Sequence, residues 1–260
     1  MTLPASFARD GFQHISQVRS KQRHILIGTD GWSNTGKSEF GLSCPGPGIF
    51  LCLDRGFDAM LDNPNPPKSR RDDFAFKVVK VPLATQAAQP EYLDYWRQFY
   101  TEYKKALDNP DARTVILDGD SDSWELQRLA EFGKLEQVPA IRYTSVNAAR
   151  RAMIARAFDS GKIVIFTNKL KDEYAASTED KNKQVKTGKE KRQGFADQDY
   201  LYQIQLRHLY DPETNRFGVR IMKCKSDTSL TGMELWGDEC NFAGLVQCIY
   251  PHISLKEWGF

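Results

Sequence analysis

The chain has 260 residues, 40% hydrophobic and 27% charged, an ordinary globular mixture that is long enough to bury a real core. Its 36 Lys and Arg against 34 Asp and Glu leave a net charge of +2, which excludes a basic coat over the whole surface but leaves a local basic patch open. The five cysteines, Cys44, Cys52, Cys224, Cys240 and Cys248, form no C-x-x-C pair, and no apolar run approaches the ~20 residues of a membrane span, so a zinc site, a disulfide framework and a membrane protein are not expected.

Residues 1–22 are mixed and polar, lack a signal-like apolar region and read as an N-terminal arm; residues 23–260 read as one domain. The apolar run 24–28 is too short for a helix and predicts a buried strand. A glycine-rich stretch at 31–38 and a short helix to about residue 43 follow. The Pro-Gly-Pro-Gly turn at 45–48 leads into a second buried strand at 49–53, ended by Asp54. Residues 62–73 read as a loop, 76–81 as a third strand, and 91–107 as a helix. The run 114–117, closed by Asp118, predicts another buried strand, with helices at 122–132 and 145–158 and a strand at 162–166. Strands alternating with helices predict βαβ units and a mostly parallel sheet in an α/β fold.

The pattern changes after Phe166. Residues 169–192 hold eight Lys or Arg against five Asp or Glu, with few apolar residues, and 172–193 read as a mobile basic loop. Residues 200–209 alternate between apolar and polar, 211–218 are turn-rich, and 219–223 read as a strand; the pair predicts an antiparallel hairpin extending the sheet. Residues 241–250 predict a final helix.

Residues 31–38, Gly31, Trp32, Ser33, Asn34, Thr35, Gly36, Lys37 and Ser38, fit G-x-x-x-x-G-K-[ST]. The glycines allow backbone N–H groups to point inward at phosphate oxygens, and the following helix adds its partial positive end. Lys37 is placed to reach the β- and γ-phosphates of ATP, and the Ser38 hydroxyl to ligate Mg²⁺. Asp118 ends a neighbouring buried strand, where a carboxylate serves Mg²⁺ in such sites and where Asp is also a favoured helix cap. Asp120 and Asp122 are close enough in sequence to take over the metal-linked role or to orient the attacking water.

Together these residues resemble the RecA-like recombinase core, most closely compact phage-encoded recombinase and single-strand-annealing ATPases. The ordered resemblance runs from about residue 22 to 233. It implies a RecA-like P-loop fold in which Lys169, in Phe-Thr-Asn-Lys-Leu at 166–170, stands at the γ-phosphate sensor. It places the 172–193 loop against single-stranded DNA, with Lys181, Lys183, Lys186, Lys189, Lys191 and Arg192 as phosphate contacts. Arg150, Arg151 and Arg156 either extend that patch or form a wet helix face. With only Tyr174 and Phe195 flanking the loop, extensive base stacking is not implied. Lys223 and Lys225 match a K-x-K signature whose lysines reach a neighbouring subunit's ATP.

Two positions depart from that family. Its catalytic glutamate aligns with Gly56, leaving Asp54 or Asp58 as substitutes. The sensor is usually Gln or His, and a lysine cannot accept a hydrogen bond from the attacking water. The resemblance implies a cytoplasmic (host-cytoplasmic, if phage-encoded) Mg²⁺-dependent, DNA-stimulated ATPase. It would assemble as a homo-oligomeric ring or filament and act in recombination or annealing. A helicase or packaging-type motor is one alternative. A nucleotide-gated DNA-binding adaptor with little turnover is another, favoured by Gly56. A small-molecule kinase would need lid arginines that are not evident.

Overall fold

Every residue of the first strand, β1 (Ile25–Gly31), is buried, as its Ile-Leu-Ile start predicts. The computed structural model describes residues 23–53, 71–82, 88–133, 138–176 and 184–260. The expected N-terminal arm, Asp54, Gly56, Asp58, Lys181 and Lys183 lie outside these residues. Beside β1, the strands β2 (Gly48–Cys52), β3 (Phe74–Val78), β4 (Thr114–Asp118) and β5 (Ile163–Ala176) build a parallel core. β6 (Gln184–Arg192) pairs antiparallel with the outer half of β5. β7 (Ile204–Asp211) lies parallel to β1, and β8 (Arg216–Cys224) and β9 (Glu234–Trp236) add antiparallel strands beyond it. Among the described residues the sheet has nine strands in the order β3-β2-β4-β5-β1-β7-β8-β9, with β6 on β5 off this path. The fold is therefore α/β, mostly parallel with an antiparallel extension.

Alternation along each core strand divides the apolar side chains between two layers. Ile25, Ile27, Ile163 and Ile165 face α1 (Lys37–Leu42). Leu26, Val164 and Phe166 face the other way, onto α2 (Gln89–Asp108), α3 (Asp120–Phe132) and α4 (Thr144–Asp159). Tyr92, Phe99 and Tyr103 of α2 are fully buried there, at ~2 kcal/mol or more of burial free energy each. A one-turn helix, α5 (Gln198–Leu201), precedes β7; α6 (Phe242–Ile249) and α7 (Leu255–Trp258) close the first layer. All five cysteines are free, and no described helix is long and apolar enough to cross a membrane.

Two expectations need correction. The described parts of the 172–193 stretch do not form a loop: β5 continues past Phe166 to Ala176 and returns as β6, with a bulge between Asp172 and Tyr174. A ribbon solvated on both faces buries no alternating apolar set, so it leaves no period-2 signal in the sequence. Nor does Arg150 lie on a wet face. It is fully buried, its Nη2 donates to Asp120 Oδ1, and its Nη1 donates to Ser123 Oγ at 3.0 Å. Gln198 also donates to Asp120, so α3, α4 and α5 meet on one buried carboxylate. Arg151 and Arg156 instead pair with Asp197 and Asp108 at the surface.

Candidate nucleotide site and basic ribbon

A cleft of about 970 Å³ opens at the C-terminal ends of β1 and β4 and beside the middle of β5. It is lined by residues 31–38, by Asp118 and residues 167–170, and by residues 215–217, 237–238 and 240–241, with Phe217 beside the Gly36 turn. Asn34 (φ 59°) and Gly36 (φ 86°) take left-handed backbone conformations, which curl the chain before α1 begins at Lys37. Lys37 Nζ donates to Gly31 O at 3.0 Å and Trp32 O at 2.6 Å, and Thr35 Oγ1 donates to Trp32 O at 2.8 Å. All eight residues of the motif thus line one concave wall, with the ammonium folded over it.

Across the cleft, Ser38 Oγ donates to Asp118 Oδ2 at 2.6 Å, and Thr167 donates to the other carboxylate oxygen. Ser38 and Asp118, 80 residues apart in sequence, therefore meet. They offer adjacent hard oxygen donors, which suit Mg²⁺ because that ion uses one or two protein ligands together with waters and phosphate oxygens. Among the described residues no group of three or more His, Cys, Asp or Glu gathers as a metal cage. Asp120 is committed to Arg150 instead. Asp122 pairs with Lys169, whose Nζ lies 2.7 Å from Asp122 Oδ1.

His208 of β7 supports the loop from below. Its Nδ1 donates to Thr35 O at 3.2 Å, and its ring packs edge-on against Phe40. Burial, reinforced by the Lys37 ammonium, pulls the imidazole from its ordinary 6.5 down to about 3. The folded state therefore holds a neutral ring, while the unfolded chain takes up a proton below about pH 6.5. This stabilising contribution is complete above pH 6.5 and falls away as the pH drops toward 3. We expect the urea midpoint of the wild type to fall more steeply between pH 6.5 and 4 than that of His208→Asn, which keeps a donor but cannot titrate. Parallel pH profiles would overturn this.

No protein-family model and no curated protein matches the sequence. Among solved structures, a crystal structure of the RadB recombinase is similar over 82% of this chain and 86% of that one, at 15% identity and a TM-score of 0.46.

Several charged residues outside the motif join the site to the ribbon. Arg207 of β7 donates to the buried Asp30 carboxylate at 2.5 Å and reaches Glu190 of β6 at 3.4 Å. Glu190 also accepts from the Trp32 indole at 2.5 Å, so β1, β6, β7 and the 31–38 loop share one polar chain. Burial pushes the Asp30 carboxyl above its ordinary range, with Arg207 pulling against that rise. On the ribbon, Lys186, Lys189 and Lys191 are exposed, as is Lys171, which sits directly opposite Lys191. Lys186 also pairs with Asp172 at 2.7 Å. Arg192 differs: its side chain is 6% exposed and ion-paired with Asp199, so it anchors the ribbon base. Tyr174 is exposed on the ribbon, whereas Phe195 is buried against Trp124.

Neither Lys223 nor Lys225 lines the cleft of its own chain. Lys223, in β8, donates to Asp199 O, and burial beside Lys225 holds its pKa below the ordinary lysine range. Asp30, Glu190, Arg207, His208 and Phe217 belong to no motif and were not expected at the site. Two of these had a positional signal: Asp30 follows the buried run of β1, and His208 falls on the buried, apolar phase of the alternating strand β7. Glu190 had none, because it becomes informative only when the ribbon folds back toward Trp32.

Proposed function

We propose that the chain is a RecA-like ATPase that uses Mg²⁺ and acts on single-stranded DNA in recombination or annealing. The reading rests above all on the meeting of Ser38 with Asp118 beside the Gly36-Lys37 turn. Residues 31–38 would wrap the phosphates, and Lys37 would exchange its bonds to Gly31 O and Trp32 O for phosphate oxygens. Ser38 and Asp118 would hold Mg²⁺, which when bound neutralises charge on the β- and γ-phosphates. Lys169 stands at the cleft edge as the γ-phosphate contact, steadied by Asp122. Asp54 is the proposed general base. Lys223 and Lys225 would serve a neighbouring copy in a ring or filament, a reading supported by their position outside their own cleft.

The deciding experiment is steady-state ATP hydrolysis, with and without single-stranded DNA, for the wild type, Asp118→Asn and Asp120→Asn. Asp118→Asn should lose about 10²-fold or more in Mg²⁺-dependent turnover while keeping its melting temperature. Asp120→Asn should lower the melting temperature, because its carboxylate neutralises buried Arg150. Wild-type turnover near zero in all conditions would favour the nucleotide-gated adaptor. Full activity in Asp118→Asn would remove the metal assignment.

The ribbon is the proposed DNA-contacting surface. Lys171 opposite Lys191 sets two like charges side by side, an arrangement that costs free energy unless an anion lies across it. Replacing Lys171, Lys189 and Lys191 with alanine should flatten the plot of log affinity for single-stranded DNA against log salt by about 2, at ~0.7 for each phosphate that is no longer neutralised. An unchanged slope and affinity would return the ribbon to an ordinary solvated surface.

A further inference from the structure

The two sides of the ribbon carry opposite charges. Lys171 stands opposite Lys191, and the next pair along is Asp172 opposite Glu190. Adjacent pairs point to opposite sides, so one side has facing lysines and the other has facing carboxylates. Facing carboxylates repel, and each of these two is drawn to a partner of its own. Asp172 pairs with Lys186 inside the ribbon, at 2.7 Å. Glu190 takes its partners from outside the ribbon. The Trp32 indole donates to its Oε1 at 2.5 Å, and Arg207 reaches its Oε2 at 3.4 Å.

Residues 185–191 are exposed, so burial does little to hold β6 in place. Beyond the Arg192 anchor at its base, the Glu190 carboxylate ties the ribbon to the phosphate loop. Trp32 is the second residue of that loop and makes bonds at both ends. Its indole holds the ribbon, while its carbonyl accepts from Lys37 Nζ at 2.6 Å and from Thr35 Oγ1 at 2.8 Å. A phosphate that draws the ammonium away therefore takes a bond from Trp32 and loosens its position. The Glu190 charge acts in the same sense, because a carboxylate held at the loop repels an anion brought there. Arg207 keeps the Asp30 carboxylate at 2.5 Å, so the departure of Glu190 leaves no half-buried cation alone.

We infer that the bond between Trp32 and Glu190 is an autoinhibitory clasp, which holds the ribbon down on the phosphate loop and opens when that loop takes up a triphosphate. The inference rests on the nucleotide reading above and adds a restraint to it. Linkage makes the restraint reciprocal: if nucleotide opens the clasp, removing the clasp tightens nucleotide binding.

The test is amide hydrogen exchange over residues 185–191 of the full chain, with and without ATP and Mg²⁺, together with calorimetric ATP affinity. Wild type is compared with Trp32→Phe, which keeps a ring but has no N–H to donate, with Glu190→Ala, which leaves the loop sequence intact, and with the double variant. In wild type, ATP should speed exchange across 185–191. Each single variant should exchange faster without nucleotide and bind ATP about 5- to 10-fold more tightly, the lower end of the usual coupling between linked sites. The double variant should go no further than either single one, because the clasp is already open. Melting temperatures identify any loss of fold, and Glu190→Ala carries the test if Trp32→Phe is damaged. Slower exchange in wild type on ATP binding would overturn the clasp. So would strictly additive gains in the double variant, or unchanged exchange in both single variants. Weaker ATP binding in Trp32→Phe would overturn it too, making Trp32 a nucleotide contact. If wild type and both variants bind ATP equally well, the clasp fails and the nucleotide reading stands. If wild type binds no ATP, both fail.

Discussion

Lys37→Ala is expected to abolish ATP hydrolysis and leave the fold intact. In this structure the ammonium donates to carbonyls of its own loop, at 3.0 and 2.6 Å, and those neutral groups line the open cleft, where water can take the ammonium's place. Opposite a phosphate, the same ammonium neutralises charge that grows toward the transition state. Removing one such group typically costs ~3–4 kcal/mol there, or about 10²- to 10³-fold in rate. Lys223→Ala should also stop hydrolysis but bind ATP nearly normally, because its 31–38 loop is untouched. The two variants should rescue each other when mixed. An interface can then pair an intact loop from one copy with intact lysines from the other. If Lys223 acted within its own chain, no copy in the mixture would carry both parts. Absence of rescue in mixtures shown to co-assemble would therefore remove the shared site, and full activity of Lys37→Ala alone would remove the phosphate-binding assignment.

The largest loss of stability is expected from Arg150→Ala. Asp120 would keep its buried position and lose its counter-charge, leaving Gln198 and the Ser123 hydroxyl as its neutral donors. Breaking a buried pair in this way costs ~3–5 kcal/mol, a large fraction of the ~5–15 kcal/mol that holds a domain folded. Pairing Arg150→Met with Asp120→Asn removes both charges together and should recover part of that loss. Urea midpoints of the single and double variants give the coupling directly. Strictly additive losses would mean that the two side chains do not depend on each other.

The parallel core was legible because its strands are short runs of Ile, Leu and Val bounded by turn residues, as at 24–28, 49–53 and 114–117. The observed strands Ile25–Gly31, Gly48–Cys52 and Thr114–Asp118 differ from those ranges by a few residues at most. The phosphate motif was legible because its spacing is local. Arg150 was not, because a buried arginine on α4 mimics the polar side of an amphipathic helix. Its partner Asp120 lies 30 residues away in sequence. The ribbon was not legible either, since its strands carry charge on both faces and no apolar period. Pairings such as Trp32 with Glu190 span 158 residues and follow only from the way β6 folds back.

β5 belongs to two structures at once. Through Lys169 it pairs with β1 in the core, and from Leu170 onward it pairs with β6 in the ribbon. Thr167, Lys169 and Lys171 alternate onto one side of it, so a single row runs from the Asp118 carboxylate to the exposed ribbon. That row sets a parity on evolutionary change. One residue inserted between Thr167 and Lys171 would turn Lys171 to the opposite side, whereas two would preserve its side and carry the ribbon outward by ~7 Å. Length variation among relatives of this chain should therefore come in pairs along this stretch.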